Sequence, residues 1–142
     1  MTIARIIESR SGAVFHCTAE MTVRQAIALL AEKRIGALPV VDGGSVAGIF
    51  SERDVVYRLA GHGPAGLDMT VGEVMTAPAV TVAPETEVNA ALSLMTKRRI
   101  RHLPVVVDGQ MTGFVSIGDL VKYRIERIEA EAEAMRTYIQ TA

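Results

Sequence analysis

Tryptophan is absent from this chain, cysteine occurs once, and aromatic residues make up only 4% of it. A single cysteine, Cys17, excludes a disulfide framework within one chain and fits a reducing compartment. Neither sign of charge is in excess. With 15 basic and 16 acidic residues, net charge marks out no nucleic-acid-binding face and no membrane-surface face. Long apolar runs are also missing. The most apolar window, Gly36 to Phe50, is interrupted by Pro39, Asp42 and the adjacent Gly43 and Gly44, so it cannot be an uninterrupted membrane-spanning helix. The first residues, Met1-Thr2-Ile3-Ala4-Arg5, lead into no apolar stretch with a small-residue cleavage site. A cytoplasmic protein without membrane or nucleic-acid partners is the expectation.

Catalytic signatures are lacking too. There is no P-loop, no nucleophile elbow and no His/Cys/Asp cluster at metal-binding spacing. His16, His62 and His102 are scattered, and His16-Cys17 falls where a first strand is expected, which favours a packed strand pair over a pH- or redox-responsive one. The sequence argues against an enzyme and against a metal site.

What the chain has in quantity is Val, Ile, Ala and Leu, within an apolar share of 49%. A chain of 142 residues can bury a core without staples and suits one domain or two fused half-domains. Self-similarity decides between them. Ile35-Gly36-Ala37-Leu38-Pro39-Val40-Val41 aligns with Ile100-Arg101-His102-Leu103-Pro104-Val105-Val106. At the same offset Gly48-Ile49-Phe50-Ser51 meets Gly113-Phe114-Val115-Ser116, and Asp54 meets Asp119. Upstream, Val23, Ala26 and Leu29 fall on Val88, Ala91 and Leu94. Further back, Thr2 to Ile7 echoes Thr70 to Met75, with a slightly longer connection in the first copy. The chain is a duplication.

Each copy reads as a strand, a helix, a β-hairpin and a closing helix, an α/β (α+β) arrangement of two βαββα repeats. Val23, Ala26, Ile27 and Leu30 recur at helical spacing, as do Val88, Ala91, Leu92 and Met95, with Thr22 and Thr86 as candidate N-caps. Strands are expected over Leu38–Val41 with Val46–Phe50 and over Leu103–Val107 with Met111–Val115, joined at Asp42-Gly43-Gly44 and Asp108-Gly109-Gln110. Pro39 and Pro104 fall at the strand starts. Gly- and Pro-rich residues 60–66 form the linker. The repeats span residues 1–62 and 68–125, and residues 126–142 form a helical extension. In that last helix Val121, Ile125, Ile128, Ala132, Met135 and Ile139 alternate steps of four and three, opposite Glu126, Glu129, Glu131 and Glu133. Such a seam calls for a partner surface, either its own chain or another copy.

The candidate binding residues are those common to both copies. Ser51-Glu52-Arg53-Asp54 and Ser116-Ile117-Gly118-Asp119 place a hydroxyl and a carboxylate at a helix start. Ser-x-x-Asp is a capping-box pattern that satisfies first-turn N–H groups. The same position can also present donors to an anion and a carboxylate to a ribose diol. The glycine three residues before each serine permits close approach of a ligand or a neighbouring backbone. Arg101 and His102 flank a strand entry within reach of a phosphate, and Arg53 can contribute from the other copy. Arg98 and Arg99 are better read as complements to a helix C-terminus.

Two copies carrying Leu-Pro-Val-Val, Gly-x-x-Ser-x-x-Asp and, between them, Val74-Met75-Thr76 resemble a tandem CBS domain pair, the Bateman module, over about Thr2 to Arg124. The Ser-Glu-Arg-Asp and Ser-Ile-Gly-Asp variants and the Glu-Ala-Glu-Ala tail are most similar to small bacterial stand-alone pairs. The resemblance implies pseudo-twofold packing, a non-catalytic regulatory role and two clefts for adenosyl ligands such as AMP, ADP, ATP, NAD(H) or S-adenosylmethionine. It implies ribose contacts from Ser51 with Asp54 and from Ser116 with Asp119. It also implies adenine contacts from Val14, Ile35, Val80 and Ile100, and phosphate contacts from Arg101 and His102. Gly36 and Ala37, the counterparts of Arg101 and His102, are not basic, so unequal clefts are expected. A disc-like homodimer and a separate regulated protein are the partners it implies. A dimeric scaffold that acts through its helical tail without a ligand is the competing expectation.

Overall fold

Two β-hairpins organise the chain. In the computed structural model, which describes residues 1–10 and 14–141, the first pairs β1 (Ala37–Asp42) with β2 (Ser45–Ser51) and the second pairs β3 (His102–Val107) with β4 (Gln110–Ser116). Residues 11–13 of the first repeat and Ala142 at the tip of the expected extension lie outside the described residues. The tight turns need positive φ, and their sequences provide it. Gly43 and Gly44 (φ 58° and 88°) close the first hairpin, and Asp108 and Gly109 (φ 50° and 77°) close the second. A bulge at the same place in each hairpin, after Val40 and after Val105, confirms that the duplication extends to backbone detail.

The helices follow the apolar periodicity. α1 spans Ile3–Glu8, α2 Val23–Lys33, α3 Glu52–His62, α4 Val71–Val74, α5 Val88–Arg98 and α6 Ile117–Thr141, with a 3-10 turn at Gly63–Asp68 before α4. Val23, Ala26 and Leu30 of α2 and Val88, Ala91 and Met95 of α5 are buried at matching positions. Thr22 caps α2 through a full capping box with Gln25. The expected cap of α5 is corrected. Its N-cap is Glu87, and the Thr86 hydroxyl instead accepts from the Ala83 N–H at 3.3 Å.

Two further readings change. The first strand of each repeat is a single bridging residue. Cys17 donates to the Pro39 carbonyl (3.0 Å) and accepts from Val41 (2.9 Å), and Val82 does the same with Pro104 (3.0 Å) and Val106 (2.9 Å). Pro39 and Pro104, expected at the strand starts, lie third in strands that begin at Ala37 and His102. The missing N–H of Pro39 costs the hairpin nothing, because the carbonyl of its partner Ile49 already accepts from the Thr76 N–H at 2.9 Å.

The echo of Thr2–Ile7 in Thr70–Met75 becomes α1 and α4, and these two helices are exchanged between the repeats. Ile3 and Ile6 are buried with Val88, Ala91, Met95, Leu103 and Val115 of the second repeat. Val71 and Val74 are buried with Val23, Ala26, Leu38 and Phe50 of the first. The hydrogen bonds match pair by pair. Ile3 donates to Thr86 and Val71 to Met21; Ala4 donates to Pro84 and Gly72 to Ala19; Val88 donates to Met1 and Val23 to Met69. This is the pseudo-twofold symmetry of the fold. Among the described residues no helix is long and apolar enough to cross a membrane.

Because Ile3 is fully buried in the other repeat's core, Ile3→Ala is expected to cost roughly 2–5 kcal/mol. Urea denaturation measures that loss. Hydrogen exchange is expected to show lost amide protection first in α5 and β3, far from the substitution in sequence, rather than in α2 and β1.

Candidate functional site

The exchange of α1 and α4 brings a segment of one repeat alongside the hairpin of the other. Ile49 of β2 forms an antiparallel bridge with Thr76, just past α4. Gly48 makes this possible, since a Cβ there would lie 2.8 Å from the Thr76 carbonyl oxygen and 2.8 Å from the Met75 sulfur. At Gly113 the neighbour is the Ile7 side chain, also at 2.8 Å. Both glycines therefore answer to the crossed-over segment packed against them.

Beside the Ile49–Thr76 bridge opens a cleft of about 150 Å³. Gly36, Ile49, Ser51 and Arg53 line it from the first repeat, and Thr76, Pro78, Ala79, Val80, Ile100, Arg101 and His102 from the second. Six of the sequence-selected residues meet here: Ser51, Arg53, Val80, Ile100, Arg101 and His102. Asp54 stands behind Ser51 and is 9% exposed. Its carboxylate accepts the Ser51 N–H (2.9 Å) and hydroxyl (3.1 Å) on one oxygen and the Thr76 hydroxyl (3.0 Å) on the other. The helix-capping role is real, yet a carboxylate offers about four acceptor positions, so capping does not exhaust it.

The charge in the cleft is positive. Arg53 is exposed and donates to the Arg99 carbonyl at 3.4 Å, tying the start of α3 to the αL residue that ends α5. Arg101 is exposed, and among the described residues neither arginine forms an ion pair. The Arg101 carbonyl accepts from Ile117 at 2.8 Å, as Gly36 accepts from Glu52 at 3.1 Å, so each strand entry is clamped to a helix start of its own repeat. His102 is half-buried and stacks on Phe114 with ring centroids 5.5 Å apart. Burial, reinforced by the Arg101 charge, holds its pKa below 6.5 against the opposing pull of Asp119 and Glu52.

The matching residues of the second repeat are differently engaged. Asp119 accepts from the Ser116 N–H at 2.7 Å while the Ser116 hydroxyl accepts from Asp119 N–H at 3.1 Å, a complete capping box. Arg10 forms an ion pair with the Asp119 carboxylate and donates to the Phe114 carbonyl at 2.6 Å. Burial alone would raise the Asp119 pKa, but the Ser116 and Arg10 contacts outweigh it and hold the carboxyl below its ordinary value. Val14 is partly buried. Ile35 lines a separate groove with Ile27, Leu30 and Val55, not the cleft that holds its counterpart Ile100. Thr76 and Arg10 were not singled out from sequence. Thr76 stands in the Val-Met-Thr segment, which could have pointed to it, whereas nothing in the local pattern marks Arg10.

Comparison with known proteins agrees with this architecture. The CBS domain family matches residues 9–61 and again 71–126. The chain is 37% identical to the mitochondrial CBS domain-containing protein CBSX3 of Arabidopsis thaliana over 148 aligned positions, covering 98% of this chain and 72% of that protein. A solved CBS-domain protein from Burkholderia ambifaria superposes with a TM-score of 0.82 at 40% identity, over 89% of this chain and 95% of the other. The structure of CBSX2 in complex with AMP superposes with a TM-score of 0.74 at 25% identity, over 88% and 96% of the two chains. This chain belongs to the CBS domain family, as a tandem pair.

A depressed His102 pKa means that folding favours the neutral ring. Its contribution is complete above the unfolded pKa near 6.5 and is lost as pH falls from there through the folded value. An NMR titration is expected to place His102 below 6.5, and His102→Asn is expected to flatten the decline of stability between about pH 7 and 5.

Proposed function

We propose that this CBS pair is a non-catalytic regulatory module that takes an adenine nucleotide in the cleft between its repeats and acts on a separate protein. One observation carries the reading: hydroxyls, cations and apolar side chains from both repeats converge on a single cleft. Ser51, backed by Asp54, presents to the ribose. Ile100 and Val80 offer apolar surface to the base, and Arg53, Arg101 and His102 face the phosphate. AMP in the solved complex of the similar protein CBSX2 supports this ligand class. Ser116 with Asp119 would hold the ribose of a second nucleotide, with Val14 and Ile35 toward its base. Arg10 must then yield Asp119 or turn to the phosphate, so the two sites are unequal.

A specific observation favours a second reading. Asp54 and Asp119 are each already satisfied by their own chain, through Ser51 and Thr76 in one case and Ser116 and Arg10 in the other. A pair whose serines and aspartates serve only as helix caps would be a dimerising scaffold that acts through its C-terminal helix.

Thermal melting against AMP, ADP, ATP, NAD and S-adenosylmethionine separates the two. A ligand at about 100 times its Kd adds roughly 2.7 kcal/mol, a shift of several degrees. Asp54→Ala is expected to lower the unliganded Tm by the loss of a cap and also to shrink the nucleotide increment. Arg101→Ala, on an exposed side chain, is expected to leave the unliganded Tm in place and weaken AMP about 10- to 150-fold while sparing adenosine, at the 1.5–3 kcal/mol typical of a charge-assisted hydrogen bond. A protein that melts identically with every nucleotide at millimolar concentration would support the scaffold.

A further inference from the structure

The last helix leaves its own fold early. Leu120 is its one buried residue, and every residue from Ile125 to Thr141 is exposed. It does not fold back on the chain. The apolar seam foreseen along it is bare: Val121 is 42% exposed, Ile125 50%, Ile128 51%, Met135 58% and Ile139 66%. Helix stability in proteins comes mostly from packing an apolar face. This helix runs 25 residues against 11 for its counterpart α3, and the added length has no packing within the chain.

Heptad positions identify an occupant. The alternating steps place Ile125, Ala132 and Ile139 at a, and Val121, Ile128 and Met135 at d. The e positions are then Lys122, Glu129 and Arg136, and the g positions Arg124, Glu131 and Tyr138. In a parallel, in-register pair each g residue meets the following e residue of the other helix. Arg124 then faces Glu129 of the second copy and Glu131 faces its Arg136. Both pairs are attractive, and each occurs twice. The fully overlapped antiparallel pair brings Glu129 to Glu129, Glu131 to Glu131 and Lys122 to Arg136, all repulsive. Arg136 and Glu131 now form exposed pairs with Glu133 (3.5 Å) and Arg127 (3.6 Å), contacts weak enough to exchange.

We propose that the exposed seam of α6 is the docking surface for the same helix of a second copy, in a parallel two-stranded coiled coil set by Glu131–Arg136 and Arg124–Glu129 pairs between chains. This rests on the tail alone and holds whether or not the cleft takes a nucleotide.

Sedimentation of the full chain is expected to show a dimer. Glu131→Arg is expected to weaken it roughly tenfold by turning two attractive pairs into like-charge ones, and adding Arg136→Glu to restore it. Ile139→Cys is expected to crosslink between copies on mild oxidation, since parallel a positions face each other. The native Cys17 is 1% exposed and pushed up to about 11, so it does not compete. A monomer overturns the proposal. So does a dimer indifferent to Glu131→Arg that gives no Ile139→Cys crosslink.

Discussion

Everything in this fold depends on the reciprocal exchange of α1 and α4. Each repeat hands its leading helix to the other's core, so neither core is complete alone. Fully burying a single isoleucine or valine is worth about 1.5–3 kcal/mol. Four such side chains, Ile3, Ile6, Val71 and Val74, cross the boundary. That makes the core of each repeat depend on a helix from the other. The exchange also builds the cleft, because Thr76 to Val80 reach the Ser51 wall only as the continuation of α4. Packing and site have one cause.

The duplication gave both repeats the same serine and aspartate, and their surroundings have since made them different. Asp54 is enclosed and bonded to uncharged hydroxyls and an N–H. Asp119 is held by a guanidinium that also takes the Phe114 carbonyl. Charge-assisted hydrogen bonds are roughly twice as strong as neutral ones, so Arg10 holds the Asp119 carboxylate more firmly than the Thr76 hydroxyl holds that of Asp54. Cations follow the same division. Arg101 and His102 line the Ser51 cleft, whereas Gly36, the counterpart of Arg101, lines the same cleft without charge.

Much of this was readable in the residues. The hairpins, with Leu-Pro-Val entries and Gly- or Asp-Gly-bearing turns, announced themselves by repetition, and the helices by apolar spacing. The first strands were not readable at their true length. Cys17 and Val82 each form one bridge, too short for any alternation to register. The echo of Thr2–Ile7 in Thr70–Met75 was visible as a duplication, but nothing in it says which core the copies enter. That depends on connection geometry, not on local pattern. The Ser51 cleft could be anticipated as a set of residue types. Thr76 was marked only as part of the Val-Met-Thr segment and Arg10 not at all, because they meet their aspartates across 22 and 109 positions of sequence.

The two helix starts that carry the aspartates are also attached to different things. α3 ends after 11 residues in a 3-10 turn that leads back into the exchanged α4. α6 runs on for 25 residues from the Ser116–Asp119 box to a seam outside the globular body. A ligand shifts a structure only by as much as it prefers one arrangement over another. At Ser51 such a preference would be absorbed among segments packed inside the pair. At Ser116 it would act on the first turn of a continuous rod whose far end is free of the fold. The Arg10–Asp119 ion pair fastens the segment that follows α1 to the first turn of that rod.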